Sequence, residues 1–120
     1  MSDLSSLIDR IEASEGPDRE LDHLIHAECF GFATLNPIDK AQIPYTASLD
    51  CAMKLVPEGC GWIAGWGQIR ADEPMGGARI TRNARFIGHH ANYDTIAEAE
   101  AATPALALCA CALKAREAQA

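Results

Sequence analysis

The sequence predicts an α+β fold: an antiparallel sheet of about three strands packed with helices. Three observations carry this. Apolar residues recur at helical spacing in the N-terminal half, spacing becomes short and alternating from Gly61, and a capped apolar helix follows at Thr103. At 120 residues with 48% hydrophobic residues, the chain is one domain, 1–120, with a single core. Aromatics are only 6%, so that core is expected to be small and aliphatic.

The first helix is expected from Asp3 to about Ala13, with Ser2 as its cap. Leu4, Leu7, Ile8 and Ile11 make one buried stripe. Ser14-Glu15-Gly16-Pro17 breaks it. Pro17 opens a second helix with Asp18 and Glu20 in its first turn, an apolar face of Leu21, Leu24 and Ile25, and Gly31 as terminator. Residues 31–45 read as an irregular connection. A third helix then starts at a Thr46 or Ser48 cap, buries Leu49, Ala52, Met53 and Val56, and stops at Pro57.

From Trp62 to Ile69 a strand is expected, with Trp62, Ala64 and Trp66 on one face. Asp72 to Gly77 reads as a loop. Ala78 to Thr81 and Ala84 to His90 read as one strand with a bulge or as two strands. Asp94 to Ala101 suits an edge strand, although its alanines and glutamates would also suit a helix. Thr103 caps the last helix and Pro104 takes its first position. Leu106, Cys109, Ala110 and Leu113 share one side of it, and Leu108, Cys111, Ala112 and Ala115 the other. One side is expected to cover the sheet. The second, with Leu108, is expected to meet the N-terminal helices or another copy of the chain.

Pro44 to Gly59 (PYTASLDCAMKLVPEG), Ala102 to Arg116 (ATPALALCACALKAR) and the run Gly16-Pro17-Asp18-Arg19-Glu20-Leu21-Asp22 resemble the phage ABA-sandwich domain family, as does the tryptophan-bearing strand after the PEG turn. The resemblance runs in order through most of the chain and is weakest from Ala78 to Tyr93. It implies a layered α-β-α sandwich and a phage or prophage origin. It brings no activity, cofactor or catalytic residue with it.

The net charge of −7 is unevenly spread. Residues 1–60 hold eleven acids and four bases, residues 61–90 two acids and four bases, and residues 91–120 four acids and two bases. This surplus disfavours nucleic-acid binding, whose affinity comes mainly from lysine and arginine, and suits docking on a basic partner. No apolar run reaches the roughly 20 residues of a membrane helix, and the N-terminus lacks the pattern of a secretory signal. With five cysteines in no framework spacing, a cytoplasmic location in the bacterial host is expected.

Candidate chemistry is sparse. His23, His26 and Cys29 stand at i, i+3 and i+6, but Cys29 is rotated about 240° from His23, so one helix does not offer all three to a metal. Cys109 and Cys111 read as buried structural thiols, and Cys60 as the most reactive cysteine. No phosphate loop or nucleophile elbow is present, and no cofactor is expected. Arg70, Arg79, Arg82, Arg85, His89 and His90 form the only basic concentration. Were Arg79, Arg85 and His89 to share a sheet face, they would grip a phosphate or carboxylate, with Trp62 or Trp66 as a stacking surface. Otherwise these arginines pair with Glu98, Glu100 or the acidic helices.

The leading expectation is therefore a non-enzymatic phage accessory protein that binds a host protein, for example a nucleic-acid-binding defence complex. Glu12, Glu15 and Glu20 would supply the anionic contact. The alternatives are a binder of a nucleotide-like anion at the arginines, and a self-assembling component using Leu108 and its side of the last helix.

Overall fold

The computed structural model describes residues 3–31, 43–70, 73–88 and 90–119. In chain order it contains α1 (Asp3–Ala13), α2 (Arg19–Phe30), α3 (Leu49–Ala52) continued by a 3-10 turn (Met53–Leu55), β1 (Gly61–Arg70), β2 (Glu73–Ile87), β3 (His90–Ala101) and α4 (Pro104–Gln119). The strands form one antiparallel sheet in the order β1-β2-β3, as the α+β reading expects.

α4 lies between the sheet and the other helices. It packs on β2 and β3, with lighter contact to β1, and α1, α3 and the 3-10 turn pack on its far side. Every side chain from Leu106 to Leu113 is fully buried, as is Ala115. Its alanines let both layers approach closely, and its three leucines supply most of the apolar volume. Thr103 caps it, accepting the Leu106 amide at 3.2 Å.

α1 has the expected bounds and stripe: Leu7, Ile8 and Ile11 are buried. Its expected cap, Ser2, lies outside the described residues. α2 starts two residues later than expected. Asp18 is its N-cap, accepting the amides of Glu20 and Leu21, and Pro17 precedes the cap instead of opening the helix. A proline fits the lead-in equally well, and the aspartate side chain decides where the helix starts. Gly31 terminates α2 at φ 88°, a conformation that favours glycine.

The third helix is shorter than expected. Ser48 caps it, and after one turn it tightens into the 3-10 turn. That tightening rotates Leu55 into the core and leaves Met53, expected in the buried stripe, exposed. Thr46 does not cap it. It is buried against α2, where its amide and hydroxyl donate to Asp22 Oδ1 at 2.7 and 2.8 Å, and its hydroxyl accepts the Asp18 amide at 2.9 Å. This cluster ties residues 43–48 to α2 and satisfies a buried carboxylate.

The expected loop from Asp72 to Gly77 is instead mostly strand. β2 begins at Glu73, and Pro74, Met75, Gly76 and Gly77 pair with Gln68, Gly67, Trp66 and Gly65 of β1. Of the two glycines there, Gly76 marks close approach of another backbone and not a turn. A Cβ at Gly76 would overlap the carbonyl of Thr103 and the nitrogen of Pro104, where α4 starts. Residues 78–87 form one strand, with its pairing irregular between Arg82 and Arg85, and residues 94–101 belong to β3. β1 starts opposite Thr81, so beyond that point β2 and β3 pair only with each other.

Which side of α4 meets the sheet also differs from expectation. The Cys111 thiol donates to the Ala97 carbonyl of β3, whereas the Cys109 thiol donates to the Tyr45 carbonyl on the helical side. The two sides are so alike in apolar content that composition did not distinguish them. Leu108, Cys111, Ala112 and Ala115 are all buried within one chain, so α4 has no spare face for assembly. Among the described residues no helix is long and apolar enough to cross a membrane.

Two substitutions test this frame by thermal or denaturant melting. Gly76→Ala is expected to cost about 2–3 kcal/mol through overlap with the α4 start, with Gly77→Ala, whose Cβ meets nothing within 4 Å, as its mild control. Leu108→Asp is expected to cost about 4 kcal/mol or more and to abolish the cooperative transition.

Candidate functional site

Cross-strand register sorts the candidate residues between the two sheet faces. Trp62 stands opposite Ile80, which is opposite Ala97; Ala64 stands opposite Ala78 and Ala99. This is the helix-covered face. Ile63, Arg79 and Glu98 form the next row, and Gly65, Gly77 and Glu100 another, both on the opposite face. That face is open: Ile63, Glu98 and Glu100 are exposed, and a hollow of ≈ 660 Å³ is lined by Ile63, Gly77, Arg79, Glu98, Glu100 and the Glu12–Lys114 pair.

Arg79 and Trp62 therefore lie on opposite faces and do not join in one ligand site. Arg79 Nε instead meets Glu98 Oε1 at 3.0 Å, the cross-strand pairing that competes with ligand binding. Arg85 lies on β2 opposite Asn92, in the two-stranded part of the sheet, and His89 falls outside the described residues. Lys114 Nζ is held by Glu12 Oε2 at 2.8 Å and the Glu98 carbonyl oxygen at 3.1 Å. Each cation of the hollow thus already has a carboxylate. Both pairs are partly exposed and contribute less than about 1 kcal/mol each.

The three acidic residues expected to act together are also separated. Glu12 reaches across to Lys114 of α4. Glu20 pairs with Arg10 at 3.7 Å, and Arg10 is about 200° around α1 from Glu12. Glu15 is exposed in the turn between α1 and α2. What the structure does bring together is acidic charge on a larger scale. Residues 3–31, the α1–α2 layer, contain eight acids and two bases, a net −6, whereas residues 61–90 carry +2. Negative charge is concentrated in α1 and α2, whereas the three acids of β3 offset the positive surplus of β1 and β2.

The polar centre under α2 was not legible from residue spacing. Tyr45 is almost fully buried, and its hydroxyl lies 2.7 Å from His26 Nδ1. The His26 ring also stacks at 5.0 Å on Phe30, over which the Arg116 guanidinium sits at 5.6 Å. Arg116 Nε donates to the Leu55 carbonyl. With His26 engaged by Tyr45, the spacing of His23, His26 and Cys29 serves packing, and among the described residues no three His, Cys, Asp or Glu side chains are grouped to hold a metal.

Burial raises the thiols and phenol around this centre. Desolvation pushes Cys29 to about 11, and the nearby Arg116 only partly offsets it. It pushes Cys111 to about 11 and Tyr45 to about 12, and raises Cys109 further still. These groups stay protonated at neutral pH, which suits packing and not nucleophilic chemistry. The chain matches no protein-family model, and no curated protein or solved structure is significantly similar to it.

Raised thiol pKa values fix the sign of the alkaline response. In the unfolded chain a thiol ionises near pH 9.0, whereas Cys29 and Cys111 in the fold do so near 11. Their contribution to stability is complete below pH 9 and is lost as pH rises through 11. The melting temperature is expected to fall steeply above pH 9, and iodoacetamide to label Cys109 and Cys111 only after unfolding; rapid labelling of either in the native state would contradict their burial.

Proposed function

We propose that the protein is a small phage- or prophage-encoded accessory protein that works by binding a host protein and not by catalysis. The acidic α1–α2 layer is its docking surface, and a basic groove, such as that of a nucleic-acid-binding defence complex, is its target. The observation that carries this reading is the concentration of charge: residues 3–31, the α1–α2 layer, carry a net −6 of the chain's −7. Such an anionic surface steers association with a cationic partner and repels nucleic acid itself. The phage context rests on the resemblance in Gly16–Asp22, Pro44–Gly59 and Ala102–Arg116.

Within that layer the residues differ in use. Glu12 and Glu20 are held by Lys114 and Arg10, while Asp9, Glu15 and Glu28 are exposed. Charge reversal is therefore best placed at the latter three. Captured host partner is expected to fall at least about 10-fold with the triple variant Asp9→Lys, Glu15→Lys, Glu28→Lys and with added salt, and to persist with Arg79→Glu. Undiminished capture by the triple variant, with folding verified by circular dichroism, would sink the reading.

A further inference from the structure

We propose that the outer edge of β1 pairs with β1 of a second copy of the chain, antiparallel about a two-fold axis at Ala64, to form a continuous six-stranded sheet. The contact is separate from the acidic helical layer and independent of its target.

The two outer edges of the sheet differ. At β3, α1 packs alongside and Lys114, held by Glu12, reaches the Glu98 carbonyl oxygen. Among the described residues β1 packs chiefly on β2 and α4, and along Gly61–Gly67 it carries no charge and no proline. An uncovered edge without lysine, proline or a bulge is a template for another strand. The pairing irregularity of β1 comes only later, between Gln68 and Arg70.

The sequence of that edge is nearly its own reverse. Gly61-Trp62-Ile63-Ala64-Gly65-Trp66-Gly67 reads G-W-I-A-G-W-G forwards and G-W-G-A-I-W-G backwards. Antiparallel pairing centred on Ala64 sets Trp62 opposite Trp66 of the partner subunit, Gly61 opposite Gly67 of the partner subunit, and Ile63 opposite Gly65 of the partner subunit. A one-residue shift would set each tryptophan against glycine or isoleucine, so the pattern selects one register. An isologous contact requires this self-complementarity.

The surrounding structure leaves room for it. α4 lies chiefly over β2 and β3, so β1 extends past its cover. Trp62 is half-buried there, and Trp66, on the same helix-side face, is 64% exposed. In the two-fold assembly four indoles meet in the trough between the two copies of α4, as two aromatic cross-strand pairs. On the open face Ile63, 62% exposed, covers the bare glycine opposite it.

Sedimentation velocity over a micromolar-to-millimolar series tests this. The wild-type chain is expected to dimerise, with its tryptophan emission shifting to the blue as dimer forms. Trp66→Lys, at an exposed position, is expected to keep the circular dichroism spectrum and melting temperature and to weaken dimerisation at least about 100-fold, since each dimer loses two indoles. Phe30→Lys and Met53→Lys, at exposed apolar positions away from β1, are expected to leave it unchanged. A wild-type chain monomeric throughout, a dimer that survives Trp66→Lys, or one lost equally with Phe30→Lys would overturn the proposal.

Discussion

Burial of α4 on every side is the constraint from which the rest of the structure follows. All three strands, α1, α3 and the 3-10 turn pack on it. Each of Leu106, Leu108 and Leu113, fully buried, contributes about 1.5–3 kcal/mol relative to exposure. A helix this apolar has no stable solvated state, so two layers must close over it. The alanines set how near those layers come, and Gly76 is the matching concession on the sheet side. The thiols of Cys109 and Cys111 each donate to a carbonyl of the layer they face, which suits a core with little volume for larger polar groups.

A single central helix also divides the molecule electrostatically. Once α4 is enclosed, the acidic α1–α2 pair forms the outer helical layer, while the three strands together carry no net charge. Long-range attraction to a basic partner then arises from the fold's layering and not from a cluster of carboxylates. The Arg79–Glu98 and Lys114–Glu12 pairs work in the other direction. They neutralise the open face of the sheet locally, and so keep its hollow from concentrating charge.

Periodicity was enough where one face dominates. The stripe from Leu4 to Ile11 and the Thr103-Pro104 start of α4 are both visible in the residues, because each has a single physical solution. It failed where two solutions have similar energy. The sides of α4 are both apolar, and only the Cys111–Ala97 contact shows which meets the sheet. Pro74, Gly76 and Gly77 have turn chemistry, yet pairing with β1 makes them strand, and Gly76 also admits the close approach of Thr103. The proposed grouping of Arg79 with Trp62 failed for a third reason. Which residues share a sheet face depends on register between strands, and register is set by tertiary contacts that no local spacing encodes. Tyr45 escaped notice, and Thr46 was read only as a candidate cap, because their partners, His26 and Asp22, are nineteen and twenty-four residues away.

The extension of β2 and β3 beyond Thr81 gives the molecule a gradient of local opening. Near Ala78 and Ala99 a backbone amide is shielded by neighbouring strands and by α4. Past Arg82, among the described residues, β2 and β3 have only each other as strand partners, and an isolated pair of strands is marginal in water. Amide protons there should exchange through local fraying, at free energies well below those of the sheet centre, while the core remains closed. Local opening of this arginine-bearing end is therefore separable from the stability that encloses α4.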